Sequence, residues 1–310
     1  MSASALMLLR DTDGPAFGFV APSTSGDVKE LEDLGADSFW VGGHIASTNP
    51  SPEPIVWLAR LVEQTRHTLI GTAALLLPLY PPAIVAKQLA DLDRAASGRL
   101  AIGIGVGGEY PSDFDACEVP MNERGSRTNE ALPLLREFWT GEPVTHHGRH
   151  HRFDGVRIHP PPAQAGGPPL IVTGRQTVAM RRAARLGDGW MPYLYSPERY
   201  ARSVETIHAE AAALGRALDD FSWLAYVFVS VGDDEAQARH AAQEFFGSTY
   251  RDDFAAMLDR VAAIGTPDQV TERLRAFVAA GARHLVLCPI GRDAQGVARR
   301  LLTEVRPLVV

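Results

Sequence analysis

Short apolar runs alternate with amphipathic stretches along most of this chain. The runs fall at residues 17–20, 38–41, 68–75, 100–104, 170–172, 189–192, 223–230 and 284–288, and most are continuous rather than alternating. Continuous runs of that length suit parallel strands covered on both faces. Helix-period segments lie between them, and three stop at a glycine just before the next run: Leu34-Gly35-Ala36, Leu186-Gly187-Asp188 and Ala280-Gly281-Ala282. Glycine after a helix takes the left-handed conformation that ends it. Eight strands alternating with helices predict a (β/α)8 TIM barrel rather than an open doubly wound sheet. Residues 141–169, rich in His, Gly and Pro, break the rhythm and predict an insertion with a hairpin near 144–153. Residues 245–265 predict further helix before the last βα unit. The expected organisation is an N-terminal, partly ordered tail over 1–15 and a single barrel domain over 16–310.

Composition adds constraints to this outline. With 310 residues, 45% hydrophobic and 22% charged, the chain has ordinary globular proportions. A net charge of −7 with interspersed signs argues against nucleic acid or an anionic membrane as the main partner. Lys29 and Lys87 are the only lysines, so arginine or backbone N–H groups must meet any anionic ligand. Cys117 and Cys288 are far apart and form no C-x-x-C, which suits a reducing cytoplasm better than a disulfide framework. The apolar run at residues 5–9 has no basic residue before it and is too short for a signal peptide or a membrane span.

Within a barrel, chemistry sits at the C-terminal ends of the strands. The run Gly103-Ile104-Gly105-Val106-Gly107-Gly108 matches G-x-G-x-x-G, the pyrophosphate fingerprint, but polar residues follow it and no amphipathic helix is expected until about Glu123. Without a helix N-terminus the pattern lacks the group that holds phosphate. The glycines instead read as an open strand end that clears space for a flat ligand, with Glu109 at its tip. Thr173-Gly174-Arg175-Gln176-Thr177 has the missing context: a strand, a glycine turn, an arginine and then a helix. Free amides, the helix dipole and a fixed positive charge make it the candidate phosphate site. Tyr195 and Ser196, after the sixth strand, carry hydroxyls that could reach a ligand. His44 follows the second strand and suits proton transfer near neutral pH. The series His146, His147, His150 and His151 lacks standard metal spacing and reads as an exposed hairpin, so no metal site is assigned.

Together these residues resemble the luciferase-like monooxygenase superfamily of flavin- and deazaflavin-dependent oxidoreductases. The resemblance runs from Phe17 to about Val305. Its carriers include Phe39-Trp40-Val41-Gly42-Gly43-His44, Gly71-Thr72-Ala73-Ala74-Leu75, Ser97-Gly98-Arg99 with the glycine run to Pro111, Glu123-Arg124-Gly125-Ser126-Arg127, Ala184-Arg185-Leu186-Gly187-Asp188-Gly189-Trp190 and Gly265-Thr266-Pro267. The order of these segments along the chain is more specific than any one of them. The resemblance implies a ring cofactor at the barrel mouth, bordered by Thr72, Ala73, Ala74, Gly107 and Gly108, with its phosphate on Thr173, Gly174, Arg175 and Gln176. It also implies a non-proline cis peptide at Ala73–Ala74, and catalytic roles for His44 and Glu109. Two departures stand out. Gly43 replaces the Asp that the deazaflavin branch usually carries before the histidine, and Thr173-Gly174 replaces a glycine pair.

The expected function is therefore a coenzyme F420-dependent oxidoreductase that passes a hydride between the deazaflavin and a small organic substrate. The alternative is an FMN-dependent monooxygenase supplied by a flavin reductase. A non-catalytic flavin-binding barrel is the reading from another class. A homodimer is expected on the resemblance alone.

Overall fold

The computed structural model describes residues 5, 9, 14–21, 28–47, 50–249 and 255–309. Eight parallel strands close into a barrel: β1 (Ala16–Val20), β2 (Ser38–Val41), β3 (Leu69–Leu76), β4 (Leu100–Gly105), β7 (Leu170–Thr173), β8 (Gly189–Met191), β9 (Ser222–Val231) and β11 (His284–Pro289). They pair in that order around the ring, and β11 returns to β1. All eight expected strands are present, each within two residues of its expected bounds at either end. The insertion carries an antiparallel hairpin of β5 (Val144–His147) and β6 (Arg152–Val156).

Two expectations need correction. Residues 245–265 are not helix throughout: α8 (Glu235–Thr249) and α9 (Ala255–Val261) are followed by β10 (Ala262–Gly265), which pairs in parallel with the upper half of β9. That strand is only four residues long and follows the helix without a break, so its apolar residues merge with the helical pattern. The hairpin histidines are also less free than expected. The His150 side chain is 3% exposed, and it meets Ser126 at 2.8 Å and Glu123 at 3.4 Å. Glu130 pairs with His146 at 3.1 Å and accepts the His150 and His151 amides. These histidines fasten the insertion to α5 (Arg124–Trp139). No group of His, Cys, Asp or Glu among the described residues is arranged to hold a metal.

The helices start where local chemistry dictates. Pro occupies an opening position of α2 (Pro54–Gln64), α3 (Pro82–Ala95), α7 (Pro197–Ala213) and α10 (Pro267–Ala279). There its missing N–H costs nothing. Glu53 and Ser196 cap two of these helices, and Thr266 with Gln269 forms a reciprocal capping box on a third. Gly35 and Gly281 are left-handed as expected. Gly187 is extended, and it is glycine for lack of room: a Cβ would meet Val172 Cγ2 at 2.9 Å.

The barrel floor is closed from below. Ala5 and Leu9 are buried against Trp40, Leu69, Ala101, Ile171, Met191, Leu224 and Val286, the side chains that fill the interior. Ala5 donates to Gln164 Oε1, and Gln164 in turn bonds the buried Asp93. These two residues of the expected tail thus belong to the barrel core. Beside them, Glu32 on α1 (Val28–Asp33) braces the start of β3. Burial alone would raise its pKa, but the amides of His67, Thr68 and Arg66 and the Thr68 hydroxyl hold it down at about 2. The folded-state pKa is depressed, so its stabilisation is present above about 4.5 and is lost as pH falls towards 2. Glu32→Gln is expected to cost about 2 kcal/mol at pH 7 and less at pH 3, measured by urea unfolding at both values.

Candidate active site

The strands' inward faces set the depth of the mouth. Val20, Ala73 and Tyr226 are only partly buried and lie on the interior cluster built around Trp40, so they form the floor of the opening. Ala73–Ala74 is a cis peptide, as the resemblance implied, and the β3–β4 register shifts there. Both alanines are half-buried in a strand that is otherwise buried. Gly42 packs on this segment so closely that a Cβ would meet Ala73 O at 2.8 Å. Thr72 is fully buried, with its hydroxyl donated to Gly103 O at 2.8 Å, so it borders the mouth through its backbone.

On the β4 side, Gly107 and Gly108 have φ of +69° and +116°, conformations that glycine adopts freely. Arg124 Nε lies beside Gly108, close enough to sit 3.2 Å from a Cβ added there. A helix does follow the glycine run, contrary to expectation: α4 spans Pro111–Ala116. It does not restore the pyrophosphate fingerprint. Its first turn carries a carboxylate, Asp113, which disfavours an anionic ligand there. Asp113 is fully buried, accepts His44 Nδ1 at 2.8 Å, and takes the Ile45 and Ala46 amides at 2.7 and 2.8 Å.

His44 is thereby held on two sides, since its ring also meets Tyr110 edge-on at 4.7 Å. Its own amide donates to Ser51 Oγ. An ionised carboxylate only accepts, so Nδ1 carries the proton towards Asp113 and neutral His44 presents Nε2 as an acceptor. Asp113 was invisible to sequence reasoning because it lies 69 residues from its partner. Crowding alone accounts for the glycine before His44. At Gly43 a Cβ would meet Pro52 O at 2.4 Å and Pro54 Cδ at 2.5 Å, so no larger residue fits. The carboxylate that holds the histidine comes from α4.

The third side is the β7–β8 face. Gly174 has φ +125° and leads into α6 (Thr177–Leu186), whose N-cap residue, Gln176, makes no side-chain capping bond. No acidic residue occupies the first turn. Arg175 lies over the Tyr193 ring at 4.8 Å. Burial raises the Tyr193 pKa; Arg175 opposes that effect, and Glu109 and Tyr110 add to it. The same field therefore links Arg175, Tyr193, Glu109, Tyr110 and, through ring contact, His44. Glu109 itself is exposed. Thr173 is half-buried and donates to Ile104 O. Tyr195 is buried, with its hydroxyl on Arg175 O and Ser203, so it supports the Arg175 turn from behind. Ser196 is engaged as the cap of α7.

A TIM barrel with an open glycine-rich mouth, a carboxylate-held histidine and an uncapped helix N-terminus over an arginine defines a small-molecule enzyme site. The chain belongs to the luciferase-like monooxygenase family, whose model matches residues 26–284. It is 26% identical to an F420-dependent glucose-6-phosphate dehydrogenase of Nakamurella multipartita, over 94% of this chain and 97% of that one. A 4-hydroxyprotoasukamycin monooxygenase of Streptomyces nodosus subsp. asukaensis is 30% identical over 76% of this chain and 64% of its own length. The fold matches the oxygenating constituent of 3,6-diketocamphane monooxygenase from Pseudomonas putida, solved with FMN, at a TM-score of 0.78 and 20% identity, covering 96% of this chain and 99% of that one. The sequence relatives thus include both an F420-dependent dehydrogenase and a monooxygenase.

Proposed function

We propose that this protein is a coenzyme F420-dependent oxidoreductase that moves a hydride between the deazaflavin and a small organic substrate. The observation that carries the reading is the His44–Asp113 pair, set at the mouth beside the glycine-lined end of β4. The residues present suit the cofactor. At Gly105 a Cβ would crowd Ala74 Cβ and Leu76 Cδ2 at 3.2 Å, so the glycine keeps room beside the Ala74 segment. Ala73, Ala74, Gly107 and Gly108 would border the ring. Thr173, Gly174, Arg175, Gln176 and the α6 amides would hold the phosphate, with the helix dipole adding to the guanidinium charge.

When bound, the deazaflavin supplies the redox chemistry. His44 Nε2 accepts the proton of a substrate hydroxyl or returns it to a carbonyl oxygen. Asp113 fixes the imidazole ring and its tautomer and balances the charge that His44 gains. Glu109 serves as a second acid or a substrate anchor. Titration with F420 and with FMN tests the assignment: F420 is expected to bind in the micromolar range, and binding of FMN alone would replace this reading with the monooxygenase alternative and its reductase partner. Arg175→Ala is expected to weaken cofactor binding roughly tenfold to a hundredfold, from one lost charge-assisted contact of about 1.5–3 kcal/mol. We also propose a homodimer, to be measured by light scattering. No helix among the described residues is long and apolar enough to cross a membrane.

A further inference from the structure

The guanidinium of Arg182, on α6, is a buried charge without a counter-charge. The residue is 8% exposed, and its Nε donates to the neutral Oδ1 of Asn129, on α5, at 2.7 Å. Burial pulls its pKa below the usual arginine range, and no carboxylate opposes that pull. Arg99, the other buried arginine among the described residues, is provided for: it donates to the carbonyl oxygens of Thr65 and Thr68 and feels the charge of Glu32. An ion taken out of water is costly unless another charge or a full set of hydrogen bonds replaces its hydration.

The Nη ends of Arg182 have no partner among the described residues, and they are not closed off from solvent. They lie against the first turn of α5, where Nη2 would be 3.7 Å from a Cβ on Gly125. The residue before it, Arg124, stands beside Gly108 at the mouth. Long helical side chains lean back towards the helix start, so Arg182 carries its charge towards the first turn of α6. Val178, one turn earlier on the same face, is 63% exposed, so that side of the groove is open. Neither helix has an acidic residue in its first turn, and neither N-cap side chain makes a capping bond. Glu123, the N-cap residue of α5, turns its carboxylate to Arg127 and His150. A buried cation and two uncapped helix starts thus border one groove, the setting that favours an anion.

We propose that Arg182 binds a phosphate group in this groove, between the first turns of α5 and α6. This inference rests on the cofactor reading, because the phosphate in question is the one assigned above to Gly174, Arg175 and the α6 amides. Arg175 meets it from the turn and Arg182 from between the helices. The bound phosphate supplies the counter-charge that Arg182 lacks in the free protein, so the cost of the unpaired guanidinium is recovered on binding.

Arg182→Met keeps most of the side-chain length and removes the charge; Arg182→Lys is the conservative variant. Thermal unfolding and calorimetry on the full chain use inorganic phosphate, FMN and riboflavin, and F420 and its phosphate-free deazaflavin. Without ligand, Arg182→Met is expected to melt at or above the wild-type temperature, because it removes an unpaired buried charge. Inorganic phosphate should raise the melting temperature of the wild type and of Arg182→Lys, but not of Arg182→Met. Affinity for the phosphate-bearing cofactor should fall at least about tenfold in Arg182→Met and less in Arg182→Lys, while its phosphate-free counterpart binds all three proteins alike. A ligand-free Arg182→Met protein that melts lower, or does not fold, gives Arg182 a structural role and overturns the proposal. So does unchanged affinity for the phosphate-bearing cofactor, or an equal loss with the phosphate-free compound. Full F420 affinity in Arg182→Met overturns the Arg182 inference alone. Stabilisation by inorganic phosphate that needs Arg182, without binding of F420 or FMN, overturns the cofactor reading and leaves Arg182 as a site for free phosphate.

Discussion

Replacing His44 with alanine is expected to lower turnover by roughly 10²–10⁴-fold, the usual contribution of a positioned proton-transfer group. Cofactor binding should change little, because the expected phosphate contacts are on the other side of the mouth, at Gly174 and Arg175. Asp113→Asn should lower turnover in the same direction but less, since the imidazole remains while its orientation and tautomer are no longer fixed. Parallel measurement of turnover and of F420 affinity checks this. Equal losses in both would make His44 a binding residue, and turnover unchanged in His44→Ala would favour a flavin-binding protein without catalysis at this histidine.

The second large effect concerns folding. At Gly103, inside β4, an added Cβ would lie 2.0 Å from the carbonyl oxygen of Thr72, 3.1 Å from its carbonyl carbon and 3.2 Å from Met191 Cε. The nearest obstacle is backbone in a paired neighbouring strand, so it cannot rotate aside. Gly103→Ala is therefore expected to separate β3 from β4, at a cost of about 4 kcal/mol or more. Gly125→Ala is the control. It lies in the first turn of α5, where the nearest atom to the new Cβ is Arg182 Nη2 at 3.7 Å, and alanine favours helix. That variant should be neutral or stabilised by about 0.5–1 kcal/mol. Thermal unfolding of the two proteins decides the matter; a folded, stable Gly103→Ala protein would contradict the packing described for the floor of the mouth.

The barrel was legible in the sequence because parallel strands covered on both faces leave continuous apolar runs. Strand β10 was not legible, because Ala262–Gly265 continues directly from a helix. The phosphate candidate at Gly174–Arg175 and the histidine at the end of β2 could be picked out from local chemistry. Their supports could not. Asp113 reaches His44 from 69 residues along the chain, and no local spacing encodes that meeting. Thr72, Tyr195 and Ser196 illustrate the converse. Hydroxyls at strand ends look available in a sequence, but here each is engaged with Gly103 O, Arg175 O or the amide of Arg199. The glycine run shows how one pattern fits two structures. A short helix does follow it, but that helix serves to bring a carboxylate, Asp113, to His44.

A crystal structure of the complex with F420 tests the central claim most directly. The ring is expected against Ala73–Ala74 and Gly107–Gly108, with His44 Nε2 facing the reacting edge and the phosphate on Gly174, Arg175 and the α6 amides. A phosphate bound along Gly103–Gly108, or a ring seated out of reach of His44, would contradict it.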